Sequence, residues 1–222
     1  MTIKVAPVVE DKIVQLTVDS VTLEGNLGVP PQAEGIVLFA HGSGSSRHSP
    51  RNQFVARFLQ EQGLATLLLD LLTADEELID WQTRELRFDI ELLAERLGGA
   101  TNWVLKQPET KNLKIGYFGA STGAAAALIA AANRPKVVRA VVSRGGRPDL
   151  AKEVLPQVKA STLFIVGGDD RQVMRLNVKA ASKLDSEKKV EVFAGAGHLF
   201  EETGALEKVA QLAGDWFQKH LA

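Results

Sequence analysis

The chain has 222 residues, with 26 Lys and Arg against 27 Asp and Glu, and no Cys. That length suits one substantial core, and with no Pro/Ser-rich linker, charge block or shift in composition it predicts a single domain over residues 1–222. A net charge near zero, with neither sign in a long run, disfavours nucleic acid or an anionic membrane as partner, and zero Cys excludes disulfides, thiolate metal sites and a Cys nucleophile.

Residues 1–10 lack a basic start followed by an apolar stretch, and no apolar run approaches bilayer-spanning length, so the expected location is the cytoplasm. Residues 12–18 and 21–28 alternate around Asp19-Ser20, which predicts an antiparallel pair at a sheet edge. From Gly35 onward, short apolar runs at 36–40, 65–69, 113–118, 137–142, 163–166 and 190–193 alternate with helical patterns, as buried parallel strands do. The first helix has Ser49 as N-cap, Pro50 at its first position, an apolar stripe of Phe54, Val55, Phe58 and Leu59, and Gly63 as terminator. Thr73 and Glu76 have capping-box spacing, so the acidic stretch 75–77 either opens a helix or is a loop before a long helix over about residues 83–105. Trp81, between the fourth strand and that helix, reads as core, with a place in a pocket wall as the alternative. In the last helix Leu206, Val209, Ala210, Ala213, Trp216 and Phe217 form a core stripe, so Trp216 is not expected to touch substrate. The sum is an α/β chain: two antiparallel strands, then about six strand–helix units, giving an eight-stranded, mostly parallel sheet with helices on both faces and no internal repeat.

In such a sheet ligands collect beyond the carboxyl ends of the strands. Four loops there carry reactive side chains: His41-Gly42-Ser43-Gly44, Gly119-Ala120-Ser121-Thr122-Gly123, Gly167-Gly168-Asp169-Asp170 and Gly195-Ala196-Gly197-His198. The second is a GxSxG pentapeptide between strand and helix, the context of a nucleophile elbow, where Gly two residues either side of the Ser relieves crowding. Nucleophile, acid and base then follow in the order Ser, Asp, His, which is that of α/β-hydrolases. A neutral Ser121 hydroxyl needs His198 to take its proton, and the imidazolium needs a carboxylate, assigned to Asp170. The backbone N–H groups of Thr122 and Ser43 are the candidate donors to the oxyanion.

The segment from His41 to Asn52, the elbow at Ser121, Asp170-Arg171-Gln172-Val173 and Gly197-His198 together resemble the dienelactone hydrolase branch of the α/β-hydrolase superfamily, over roughly residue 35 to the end. The resemblance implies an α/β-hydrolase fold with little or no cap domain. It also implies hydrolysis of a small-molecule ester or lactone by an acyl-enzyme route, with no cofactor and no metal. The family's namesakes carry Cys in a GxCxGG elbow, whereas this chain has Ser121, and Ala124 where the extra Gly would be. A general carboxylesterase is therefore expected rather than one specific for dienelactone. Asp170 stands three residues before Val173, matching the family's Asp-x-x-Val pattern. Asp169 and Asp149 are the alternatives for the acid.

Arg47, Arg51, Arg144 and Arg147 follow strand ends and have two readings: Arg47 and Arg144 in particular either bind an anionic group on the substrate or brace irregular loops through their donors. His41 reads as structural, His48 as surface or substrate-facing, and His220 lies near the C-terminus; no pair of them has metal-ligand spacing. A nucleotide site is the first rival, since Gly116, Gly119 and Gly123 resemble a dinucleotide fingerprint. However, the next strand ends Val141-Val142-Ser143 without an acid, and no GxxxxGK loop occurs. A catalytically inactive ligand-binding protein on the same fold, or an acyltransferase, are the other rivals. Self-association is left open by the sequence.

Overall fold

The computed structural model describes residues 9–222; most of the stretch 1–10, read above for a leader, lies outside them. Strands β1 (Lys12–Val18) and β2 (Val21–Gly28) form the expected antiparallel edge pair, in register from Lys12 with Leu27 to Val18 with Val21. Strand β2 pairs antiparallel with β4 (Ala65–Leu69). The rest of the sheet is parallel: β3 (Gly35–Ala40), β5 (Lys114–Ala120), β6 (Val138–Arg144), β7 (Ser161–Gly167) and β8 (Lys188–Phe193). The order across the eight strands is β1-β2-β4-β3-β5-β6-β7-β8, so the sheet is the mostly parallel one that the apolar runs predict.

The central strands are apolar throughout because helices cover both faces. Along β3, Ile36, Leu38 and Ala40 join one cluster while Val37 and Phe39 join the other, which is the period-2 alternation of a strand. The first cluster packs under α3 (Ile90–Val104), α4 (Thr122–Ala132) and α5 (Arg171–Ala181). The second packs under α1 (Pro50–Glu61) and α6 (Ala205–Leu221), whose stripe includes Val209, Ala213 and Phe217. Every residue of α4 is buried, and its run of alanines lets this helix lie close to the sheet behind the elbow. At the open edge, β8 carries Lys188, Lys189 and Glu191, charges that disfavour pairing with another strand.

One expected element divides in two. Instead of a helix over about residues 83–105, α2 (Ala74–Thr83) is followed by a single 3₁₀ turn at Leu86–Phe88 and then by α3. The capping box forms: Thr73 Oγ1 accepts from Glu76 N–H at 3.2 Å, and Thr73 N–H donates to Glu76 Oε2 at 2.8 Å. The break falls where Arg84 takes a left-handed conformation (φ 58°) without being Gly. It is held by Asp80, whose carboxylate accepts from Arg87 N–H at 2.9 Å and Arg87 Nε at 2.5 Å, and Asp89 then caps α3 through Leu92 N–H at 3.0 Å. This short segment lines the cleft through Glu77, Asp80, Trp81 and Arg87. It also corrects the reading of Trp81, which is 80% exposed on α2 and not in the core.

Candidate active site

Ser121 sits between the last residue of β5 and the first of α4 with φ 51° and ψ −120°. For a residue with a Cβ this conformation costs about 1–3 kcal/mol and persists only where the surroundings impose it. Three main-chain bonds do so: Ser121 N–H donates to Arg144 O at 3.2 Å, and Ser121 O accepts from Ala124 N–H at 3.1 Å and Arg147 N–H at 3.0 Å. The flanking glycines are required by contact. A Cβ on Gly119 would come within 2.4 Å of Ala124 Cα, and one on Gly123 within 2.2 Å of Ala40 O. The pentapeptide is thus the form a strand needs in order to turn into a helix pressed against its neighbour.

The loops after β7 and β8 are stitched together by main-chain bonds, Gly168 N–H to Phe193 O at 2.7 Å and Asp169 N–H to Ala196 O at 3.0 Å. This brings Asp170 to His198: His198 Nδ1 lies 2.7 Å from Asp170 Oδ2. The other carboxylate oxygen of Asp170 accepts from Val173 N–H at 3.4 Å and caps α5, which explains why Val follows the acid by three. Neither alternative acid bonds His198 among the described residues. Asp149 forms a two-pronged pair with Arg147 (2.9 and 2.8 Å), which holds its carboxyl below the ordinary range, and Asp169 makes no side-chain bond among the described residues. Gly145 (φ 53°) packs beneath His198, where a Cβ would lie 3.4 Å from the ring. Ser121 and His198 line one cavity of about 280 Å³, and no hydrogen bond joins their side chains in this structure.

The strand β3 loop closes the other side. His41 is buried, and burial depresses its pKa, so it is neutral. Its Nε2 accepts from Leu71 N–H at 3.2 Å, which puts the ring proton on Nδ1, 3.0 Å from Gly42 O. This ties the loop to the end of β4 and accords with the structural reading of His41. In this structure the Ser43 N–H donates to Thr122 Oγ1 at 2.9 Å. The two segments expected to supply oxyanion donors therefore meet through a side chain. Thr122 N–H, at the first position of α4, has no partner within the helix.

The two candidate substrate-binding arginines part company. Arg47 donates from N–H to Asp70 Oδ1 at 2.7 Å, its guanidinium pairs with the same carboxylate, and Nη2 reaches Glu24 Oε2 at 2.6 Å. It lines neither cavity of the cleft and acts as a loop brace. Arg144 ends β6 opposite Ala120 in the register, is 7% exposed, and lines the cavity with Ser121. Asn52, on the first turn of α1, also faces that cavity and was not singled out from the sequence; its position directly after the β3 loop was the available signal. A larger cavity of about 470 Å³ adjoins, sharing Gly42, Ser43, Ser45 and Ser49 and extending to His48, Glu77 and Trp81. Among the described residues no group of His, Asp and Glu is arranged to hold a metal ion, and no helix is long and apolar enough to cross a membrane.

Comparison with known proteins fits this geometry. A dienelactone hydrolase from Anabaena variabilis superposes with a TM-score of 0.96 at 59% identity, covering 97% of this chain and all of that one. The dienelactone hydrolase-like promiscuous phosphotriesterase P91 from metagenomic libraries (TM-score 0.80, 17% identity, 97% and 100% covered) shares the fold. So does Est1E from Butyrivibrio proteoclasticus (0.79, 14%, 93% and 98%). A Mycobacterium tuberculosis protein with the provisional name phosphoribosyl transferase is 55% identical over 215 residues, which are 97% of this chain but 48% of that protein. The chain thus spans about half the length of the curated relatives it matches. The model of the dienelactone hydrolase family matches residues 23–221, and this chain belongs to that family of α/β-hydrolases.

Proposed function

We propose that the protein is a serine hydrolase that cleaves a small-molecule carboxylic ester or lactone through an acyl-enzyme, with Ser121 as nucleophile, His198 as base and Asp170 as orienting acid. The observation that carries this reading is the strained Ser121 opening into the same cavity as a His198 whose Nδ1 is held by a carboxylate. The Asp170 contact fixes the tautomer with Nδ1 protonated and leaves Nε2 to face the nucleophile. As Ser121 Oγ attacks the carbonyl carbon, its proton passes to His198 Nε2, and the imidazolium is stabilised by Asp170. The oxyanion takes a bond from Thr122 N–H at the positive end of α4, and from Ser43 N–H once it displaces or shares the Thr122 hydroxyl as acceptor. Collapse expels the alkoxide, which takes the proton from His198. Water then enters and bonds through its oxygen to the acyl carbon as it gives a proton to the same nitrogen; the second collapse breaks the bond to Ser121 Oγ, which takes that proton back from His198 as the carboxylic acid leaves.

The transferase name of the mycobacterial relative belongs to a chain twice as long as the matched part, and every step above uses residues of this chain with water as the sole co-reactant. The test is hydrolysis of 4-nitrophenyl acetate by the purified protein and by Ser121→Ala. Turnover by the first and its loss in the second is expected; equal rates would end the proposal.

A further inference from the structure

The cavity of about 470 Å³ is used by no step of the proposed reaction, yet it adjoins the reaction centre, since Gly42, Ser43, Ser45 and Ser49 line both cavities. Its volume suits a small-molecule group. Part of its wall is α2, where Glu77 and Trp81 lie one turn apart and so share a face. Trp81, 80% exposed, is the least covered of the large apolar side chains among the described residues, so most of its indole is open. Glu77 stands apart from the acids around it. Asp70 is paired with Arg47, Glu76 with Arg96 and Asp80 with Arg87, whereas among the described residues the Glu77 carboxylate has neither an ion pair nor a hydrogen bond. Its place in the first turn of α2 suits the helix dipole, but Asp75 and Glu76 already supply that charge. Partial burial, and then the nearby Asp70, raise the pKa of Glu77, as expected of a charge short of a counter-ion. Of the basic residues that line the cavity, Arg87 is neutralised by Asp80 and His41 is neutral. With His48 in its neutral form, the lining therefore carries one net negative charge beside an open aromatic face.

We propose that this cavity is a cation subsite of the cleft, in which Glu77 and Trp81 bind an alkylammonium group carried by the ester substrate. The inference rests on the hydrolase reading and narrows it to esters with a positive charge on the part of the molecule that passes Ser43. The Glu77 carboxylate attracts the charge, and the indole face of Trp81 holds the methyl groups; Trp is the strongest aromatic partner for such a cation. A sugar also stacks on an indole, but a neutral sugar would leave the Glu77 charge uncompensated, so the cation is the better fit. The other half of the ester then occupies the cavity of about 280 Å³ beside Ser121 and His198. No bond is made or broken at this subsite, which supplies affinity and orientation.

The test compares kcat/KM, at about pH 8 where imidazoles are neutral, for two pairs of esters that differ only by a quaternary nitrogen against carbon. Acetylcholine against 3,3-dimethylbutyl acetate places the charge on the alcohol. The 4-nitrophenyl esters of 4-(trimethylammonio)butanoate and 5,5-dimethylhexanoate place it on the acyl group. Each rate is divided by that of hydroxide-catalysed hydrolysis of the same ester, and the native protein is compared with Glu77→Gln, Trp81→Ala and Trp81→Phe, with folding checked by circular dichroism. In at least one pair the native protein is expected to favour the cation by about fivefold or more. Glu77→Gln and Trp81→Ala should each lower that preference by about threefold or more, and Trp81→Phe should retain part of it. A smaller native preference in both pairs, or a preference unchanged in Glu77→Gln or in Trp81→Ala, overturns the subsite. Faster cleavage of 6-O-acetylglucose than of either cationic ester assigns the cavity to a sugar and overturns the cation. Turnover of 4-nitrophenyl acetate separates the two proposals. If that ester is not cleaved, the hydrolase reading fails, and the subsite is judged by calorimetric titration with choline, where binding lost in Glu77→Gln supports it and no binding to the native protein overturns it.

Discussion

The two sides of the cleft differ in how their buried arginines are partnered. On the side of α2, Arg47 meets Asp70 and Glu24, Arg87 meets Asp80, and Arg96 meets Glu76, so that these cations fix the loops between β3 and α3. On the side of β5 to β8, Ser121 is held in a left-handed conformation and Arg144 is buried without an acid. The difference teaches that residue type alone does not say what an arginine beyond a strand end does. Arg47 and Arg144 both follow strand ends, and only the partners that the fold supplies separate a brace from an unsatisfied cation.

If that contrast is right, changes on the β5–β8 side affect turnover and changes to the arginine pairs on the α2 side affect stability. The largest effect is expected for Ser121→Ala and His198→Ala, each lowering kcat for 4-nitrophenyl acetate at least about a thousandfold with the circular dichroism spectrum unchanged. Asp170→Asn should follow at roughly a hundredfold or more, because the tautomer of His198 is then no longer imposed, while Asp149→Asn should change the rate less than about threefold. Steady-state kinetics on the two variants decides which acid serves His198.

Stability should then divide the arginines by sign. Arg47→Met leaves Asp70, itself nearly buried, without its guanidinium, and should destabilise by about 2 kcal/mol, a fall of roughly 5 °C in Tm for a chain of this size. Arg144→Met removes a buried charge that had no acid, and should raise Tm, with a gain of about 1 kcal/mol or more in urea titration. The pH dependence has a definite direction. The folded protein holds the Arg144 proton less tightly than the unfolded chain, so the charge opposes folding at neutral pH and this penalty fades as pH rises through about 10. A stability difference between native protein and Arg144→Met that stays constant from neutral pH to about pH 11 would contradict this linkage.

Much of the sheet is legible in the sequence because central parallel strands are apolar on both faces; each expected run lies within a residue or two of a strand. The elbow is legible for the same local reason, since Gly119 and Gly123 are demanded by contacts at 2.4 and 2.2 Å. The break between α2 and α3 escapes a reading for Gly and Pro, because it is built from Asp80 gripping Arg87 and from a left-handed Arg84; the N-cap Asp89 was the one local sign of it. The Ser43 to Thr122 bond and the Arg47 to Asp70 pair join residues 79 and 23 positions apart, and such meetings are properties of the fold that spacing does not encode.

The most direct measurement is labelling of the folded protein with a fluorophosphonate, with mass mapping of the modified residue. The account predicts one adduct, on Ser121, absent in Ser121→Ala and strongly slowed in His198→Ala. A folded protein that takes up no label, or takes it at another residue, would contradict an activated Ser121 and with it the hydrolase reading.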